Sequence, residues 1–213
     1  MRNKKLILIG AGGHARIAID IANLNNFKIL GIIDLNYKQK KKTEYINSYP
    51  VIGGLEKLKN FETKNIKAFI SIGDNITRKK YYKILLNRNF SVINLIHPSA
   101  IISKSVSLGS GVMVGPGAII NANSMIKDNV IINSGSIIEH EVTVFSHSHC
   151  APRSIVAGRS IIGETVVVGA GSIIIENLEI GKNSIIAAGS TVIKKVANNL
   201  LIAGTPGKIK KNL

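Results

Sequence analysis

The chain has 213 residues, 45% of them apolar, enough for one or two packed domains. Its 28 Lys and Arg against 12 Asp and Glu give a formal charge of +16; the basic residues are scattered, without aromatic interleaving or a nucleic-acid-binding module, which argues against a nucleic-acid partner. The single cysteine, Cys150, excludes an internal disulfide, and no stretch reaches the ~18 apolar residues of a membrane span.

Two readings of the charge remain, a solvated lysine-rich surface and attraction of anionic small molecules. Met1–Lys5 is basic, but Leu6–Ala11 is too short for the apolar region of a signal peptide. A cytoplasmic protein is expected.

In chain order, Lys5–Ile9 is a continuous apolar run, as in a buried parallel strand. Gly10-Ala11-Gly12-Gly13-His14-Ala15 follows, then an amphipathic segment, Arg16–Asn23. Lys28–Ile33 is a second buried strand ending at Asp34. Leu35–Tyr49 reads as a polar loop whose densest basic run, Lys38, Lys40, Lys41 and Lys42, is expected in solvent. Leu55–Lys59 suggests a short helix, Ala68–Ile72 a third strand closed by Gly73-Asp74-Asn75, Ile76–Arg88 a helix and Val92–Ile96 a last strand. This alternation predicts a small parallel α/β domain over residues 1–97.

The glycine loop between a strand and a helix has the outline of a dinucleotide fingerprint, with Asp34 near the acid position. Its physical content is broader. Bare N–H groups at a helix N-terminus hold a phosphate or a sugar diphosphate, and His14 within the loop adds a polar contact. Gly73-Asp74-Asn75 closes another strand at the carboxyl end, where α/β domains bind ligands.

After His97-Pro98 a new rhythm starts. Every sixth residue from Ile102 to Val192 is apolar, aliphatic except at Cys150, and two residues before each sits a mostly small residue, with Leu178 the bulkiest exception. Neither a helix nor a flat strand holds that period. Fixed hexads point to a β-solenoid in which three hexads, 18 residues, close one triangular coil. The hexads hold register to about Val196 and so build a prism of about five coils, stacked about 4.8 Å apart, within a second domain that spans residues 98–213 with its tail. Cys150 lies in the inward column and reads as a small buried hydrophobe. No insertion interrupts the hexads, so a site there has to be built from turn residues and a neighbouring subunit.

His140 stands at a turn in Glu139-His140-Glu141. A carboxylate beside an imidazole fixes its tautomer and favours its protonated form, which prepares a general base. His149, between inward Ser148 and inward Cys150, points outward, and His147 is nearby; taken singly, each histidine also fits a plain surface turn. Residues 18 apart share an edge of the prism, so Pro152, Ala170 and Ala188 form a smooth column, a groove parallel to the axis.

Together these features resemble the hexapeptide-repeat nucleotide-sugar acyltransferases of the sialic-acid O-acetyltransferase type, and among them the UDP-4-amino-sugar N-acetyltransferases of bacillosamine biosynthesis. The Gly-Ala-Gly-Gly-His loop, Ser71–Lys80, Asn94–His97, Asn133 with Glu139-His140-Glu141, and Gly204-x-Pro206-x-Lys208 carry the likeness. The resemblance implies a Rossmann-like α/β domain followed by a left-handed parallel β-helix, an acetyl-CoA co-substrate, no metal, and a homotrimer with sites between subunits. It implies His140 as the base supported by Glu141, acetyl-CoA contacts at His149, Ala170 and Ala188, and nucleotide-sugar contacts at Gly12, Gly13, His14, Asp34, Leu35, Gly73 and Asn133. The implied reaction is N-acetylation of a UDP-linked 4-amino-4,6-dideoxy sugar. A GDP-linked amine, or a hydroxyl of a sialic-acid-like sugar, is the alternative within the class; a non-catalytic nucleotide-sugar scaffold and an NAD-dependent oxidoreductase are the alternatives outside it. Four departures from the family pattern stand out: Leu35 replaces a second acid, Phe145 a turn glycine, Gly207 an alanine, and His147 is extra.

Overall fold

A computed structural model describes residues 4–34, 36–38 and 42–213. The chain forms two compact units, Met1–Pro98 and Ser99–Leu213.

In the first unit, β1 (Lys5–Ile9), β2 (Lys28–Ile33), β3 (Tyr45–Ile46), β4 (Tyr49–Gly53), β5 (Ile66–Ile70) and β6 (Ser91–Val92) form one sheet in the order β3-β4-β2-β1-β5-β6. All neighbours run parallel except the β3–β4 hairpin. Leu6 to Ile9 are fully buried, as the apolar run requires. Helix α1 (Gly13–Leu24) follows β1, and α2 (Asn75–Asn87) follows β5. The strand Leu95–Ile96 (β7) ends the unit.

Since β2 and β5 flank β1 on opposite sides, the connections leaving β1 run one way and those leaving β5 the other. Doubly wound sheets bind ligands at such a switch point, outside the carboxyl ends of the strands. Here the switch point is formed by residues 10–13 and 71–74.

The second unit is a left-handed parallel β-helix. Its two-residue strands recur every six residues from Ile101–Ile102 to Thr191–Val192 and pair parallel at a spacing of 18, as in Ile101↔Ile119↔Ile137↔Ile155↔Ile173. A hairpin, Leu200–Ala203 with Lys208–Asn212, follows. The sixth-residue aliphatics point inward: Ile138, Val144, Cys150, Val156, Ile162 and Val168 are all fully buried. Burial pushes the Cys150 thiol up to about 12, so it behaves as a small hydrophobe. Truncating one of these fillers leaves a void between coils that the rigid ladder cannot close. Ile162→Ala is therefore expected to cost about 2–5 kcal/mol, read from chemical denaturation.

The small positions are the other inward set, and many are serine. A buried hydroxyl is costly unless bonded. Ser124, Ser148 and Ser160 each donate to a carbonyl 15 residues on (Glu139, Gly163 and Ile175, at 2.7–2.9 Å) and accept the N–H of the residue 18 on. The serines thus tie each coil to the next. Leu178, too bulky for this corner, is only half-buried.

The turns repeat as strictly. From Gly111 to Gly189 every sixth residue has φ between 56° and 71°. Gly, Asn and Asp accept this left-handed conformation most readily, yet Glu141, His147 and Arg153 hold it too.

Candidate active site

The turn after Ile138 carries His140, its ring exposed. His140 Nδ1 is 3.0 Å from Glu141 Oε2, and Arg159 Nε donates to that same oxygen at 3.2 Å. The bond from His140, supported by that from Arg159, holds the Glu141 carboxyl below its usual range. An ionised carboxylate only accepts, so Nδ1 carries the proton and Nε2 of the neutral ring is left with the lone pair. Glu139, the other acid of the triplet, does not share the ring: its Oε2 accepts from Asn121 Nδ2 at 3.0 Å. Of the two flanking carboxylates Glu141, whose backbone takes the left-handed turn conformation, is the one bonded to the ring.

Gly158, one coil on, is a neighbour of the ring that the sequence reading missed. A Cβ built there would lie 2.7 Å from His140 Nε2 and Cε1. On the other side, Glu141 N–H donates to the Ala122 carbonyl at 2.9 Å. The imidazole thus occupies an edge column between alanine and glycine, the two smallest residues. Adding 18 to 140 in either direction finds both.

Asn133 and His149 meet on a neighbouring face. Asn133 Nδ2 bonds His149 Nε2 at 3.1 Å, while Asn133 Oδ1 accepts from Ser134 N–H at 2.8 Å. Asn133 is buried and His149 half-buried. Pro152, Ala170 and Ala188 are exposed and stacked in register, their carbonyl ladder marked by Gly171 N–H to Pro152 O at 3.0 Å and Gly189 N–H to Ala170 O at 2.9 Å.

His147 is no surface histidine. It is only 6% exposed, with Nδ1 2.8 Å from Asn129 Nδ2 and Nε2 3.9 Å from Glu164 Oε1. Phe145 leaves the turn intact: its N–H still donates to the Ile162 carbonyl at 2.8 Å, with the ring 43% exposed.

In the first unit, α1 begins at Gly12 with no side-chain cap and no acid in its first turn. Gly12 and Gly13 are exposed, and a Cβ added to either would meet nothing within 4 Å. The Gly12–Gly13 backbone at this helix end is therefore uncrowded, the setting in which helix N-termini receive anions. The His14 ring packs on Gly73, where a Cβ would sit 2.7 Å from Cδ2. Burial, then the charge of Arg78, lowers the His14 pKa from its usual value, which keeps the ring neutral at neutral pH.

At the end of β2, Asp34 N–H donates to Gly53 O at 3.0 Å and Oδ1 accepts from Asn36 N–H at 3.2 Å. Asp34, Asn36, Tyr37, Lys38, Lys42 and Glu44 line an open cavity of about 280 Å³. Lys38 and Lys42, read from sequence as merely solvated, thus face the same cavity as Asp34. Leu35, Lys40 and Lys41 lie outside the described residues. Among the described residues, no cluster of His, Cys, Asp and Glu could hold a metal ion, and no helix is long and apolar enough to cross a membrane.

An imidazole oriented by an acid on a hexapeptide β-helix, in a chain that also carries a Rossmann-like unit, is the combination found in acyltransferases. The PglD N-terminal domain family matches residues 5–85, and the bacterial transferase hexapeptide family (six repeats) matches residues 159–194. The structure of a perosamine N-acetyltransferase mutant from Caulobacter crescentus, in complex with CoA and GDP-perosamine, is 33% identical with a TM-score of 0.92, covering 98% of this chain and 97% of that one. The acetyltransferase domain of PglB from Neisseria gonorrhoeae, in complex with acetyl coenzyme A, is 27% identical with a TM-score of 0.89, covering 97% and 99%. UDP-N-acetylbacillosamine N-acetyltransferase of Bacillus subtilis is 31% identical over 114 residues, 52% of this chain and 51% of that protein. The chain belongs to the hexapeptide-repeat acyltransferase family, in the group that carries a PglD-type N-terminal domain. It spans 24% and 51% of the length of the first two curated relatives it matches.

Proposed function

We propose that this protein transfers an acetyl group from acetyl-CoA to an amine on a nucleotide-linked sugar, with a UDP-linked 4-amino-4,6-dideoxy sugar as acceptor. The observation that carries the reading is the oriented imidazole: Nδ1 held by Glu141, with the ring seated against Gly158, where a side chain would collide with it.

The amine lone pair attacks the thioester carbon while Nε2 of His140 takes a proton from the nitrogen. Glu141 stabilises the imidazolium that forms. As the tetrahedral adduct collapses, the C–S bond breaks and the imidazolium returns its proton to the departing CoA sulfur. A backbone N–H or the His149 ring would stabilise the oxyanion. Acetyl-CoA would lie along His149, Ala170 and Ala188. The nucleotide sugar would be held by Gly12, Gly13, His14, Asp34, Leu35, Gly73 and Asn133.

The GDP-perosamine bound to the Caulobacter relative favours a second reading, in which the acceptor amine is carried on GDP. Thiol release from acetyl-CoA with UDP-, GDP- and CMP-linked 4-amino sugars, followed by mass spectrometry of the product, separates these readings. Release with the UDP sugar and a 42 Da increment on the amine (roughly one acetyl group, covalent balance as for any acyl transfer) is the expected result. No release with any amino sugar would remove the proposal.

A homotrimer is part of the same proposal, and one face of the prism supports it. Its outward residues, Ile101, Ile119, Ile137, Ile155 and Ile173, form an apolar column on a flat sheet, 65% exposed at Ile101. Contiguous apolar surface of this kind marks an interface. The wild-type protein is expected to sediment at three times the 22.9 kDa chain mass, and Ile137→Asp as a monomer.

A further inference from the structure

Arg78, in the first turn of α2, is 1% exposed, and the reaction described above makes no use of it. Arginine is almost never fully buried unless something compensates its charge. Here the compensation is specific. Nη1 donates to the Gly73 carbonyl at 2.8 Å and to the Ile72 carbonyl at 3.2 Å, and Nη2 donates to Asn75 Oδ1 at 2.8 Å. The nearest acid, Asp74, caps α2 by accepting from Thr77 N–H at 2.8 Å. Burial pulls the guanidinium down to about 9, partly offset by the charge of Asp74, so it stays a cation at neutral pH.

The bonded carbonyls belong to the segment that crosses the switch point. Ser71 Oγ donates to the Gly10 carbonyl at 2.8 Å, and Gly10, at φ 105°, leaves room for Ile72, whose Cγ1 would be 2.6 Å from a Cβ there. Gly73 in turn is the floor under the His14 ring. His14 sits in the first turn of α1, the end left without a cap or an acid. An unbroken set of contacts therefore runs from Arg78 through Gly73 to His14.

We propose that Arg78 is a positioning residue for the nucleotide-sugar pocket, its planar fork locking the Ile72 and Gly73 carbonyls so that Gly73 seats the His14 ring beside the open N-terminus of α1. This rests on the nucleotide-sugar reading of the first unit. The fork, rather than the charge alone, does the locking. A lysine ammonium is a point donor on a flexible stem and cannot span two carbonyls and an amide in fixed geometry.

The test is calorimetric binding of UDP and GDP to the full-length protein, with acetyl-CoA binding and thermal unfolding followed in parallel. Arg78→Lys is expected to weaken binding of the preferred nucleotide about tenfold, with acetyl-CoA affinity unchanged. In a His14→Ala background the same substitution should cost less than about twofold, because coupled residues are non-additive. Gly73→Ala, which keeps Arg78 but presses on the ring, should weaken the nucleotide alone and to a similar degree, which covers the case of a lysine variant that folds poorly. Wild-type affinity in folded Arg78→Lys would overturn the inference, as would an undiminished loss in the His14→Ala background, the mark of a merely structural role. Wild-type protein that binds acetyl-CoA but neither nucleotide would overturn the nucleotide-sugar reading itself.

Discussion

His140→Ala is expected to lower kcat by roughly 10²–10⁴-fold, the usual contribution of a positioned general base, with the fold and assembly intact. The size of the effect follows from what the ring does. An amine attacking a thioester becomes strongly acidic as the C–N bond forms, and without a base its proton must leave to water. The Glu141–Arg159 pair is then left without the ring it orients. The fold should tolerate the change, because the ring is exposed and the backbone bonds of the turn, Arg159 N–H to His140 O at 3.0 Å and Glu141 N–H to Ala122 O at 2.9 Å, are independent of the side chain. Steady-state kinetics with both substrates, beside sedimentation and thermal unfolding, checks this. Turnover within a few-fold of wild type would remove His140 as the base.

Gly158→Ala is expected to lower kcat by about 10²-fold, with both KM values little changed. The added methyl would stand 2.7 Å from Nε2 and Cε1, nearer than carbon and nitrogen approach without bonding. Gly158 does not hold the left-handed turn conformation, so its backbone accepts alanine and the ring must yield instead. The required shift is a fraction of an ångström to about 1 Å, and misplacement on that scale costs about 10²-fold when two groups must meet in line. The bond to Glu141 would be stretched as well. Crystallography of the variant together with its kcat tests the idea: an unmoved ring with wild-type turnover would show that Gly158 sets nothing.

The β-helix was legible because its signal repeats. One hexad is an unremarkable run of six residues, but an unslipped column from Ile102 to Val192 leaves a single account. The turn register, by contrast, was hidden, since left-handed residues include Glu141, His147 and Arg153 as well as the glycines and asparagines that announce such a backbone. In the first unit, Lys5–Ile9 and Lys28–Ile33 are strands at the expected residues, being apolar runs with clear ends. The third strand lies at Ile66–Ile70 rather than Ala68–Ile72, because Ser71 and Ile72 are needed over Gly10 and an apolar run does not say where pairing stops. Tyr45–Ile46, inside the stretch read as loop, pairs with Tyr49–Gly53 as a hairpin. Its turn residues, Asn47 and Ser48, both take positive φ, a weaker signal than Asn-Gly.

At the candidate site the histidines stood out by type and spacing, whereas their partners did not. Nothing in Thr77-Arg78-Lys79-Lys80 distinguishes the buried cation from its neighbours; burial depends on the loop it curls toward. Gly158 could be found only after the coil length was accepted. Sequence adjacency is a poor guide at a corner: the Glu139 carboxylate accepts from Asn121, 18 residues away.

The strict alignment of every turn has an evolutionary corollary. Because each storey of the prism reproduces the one below, deleting or duplicating one 18-residue storey slides whatever lies beyond it by a single fixed increment without altering its surroundings. The height of the prism can thus be graduated like the marks on a ruler, through whole storeys, while the reacting corner itself is left untouched.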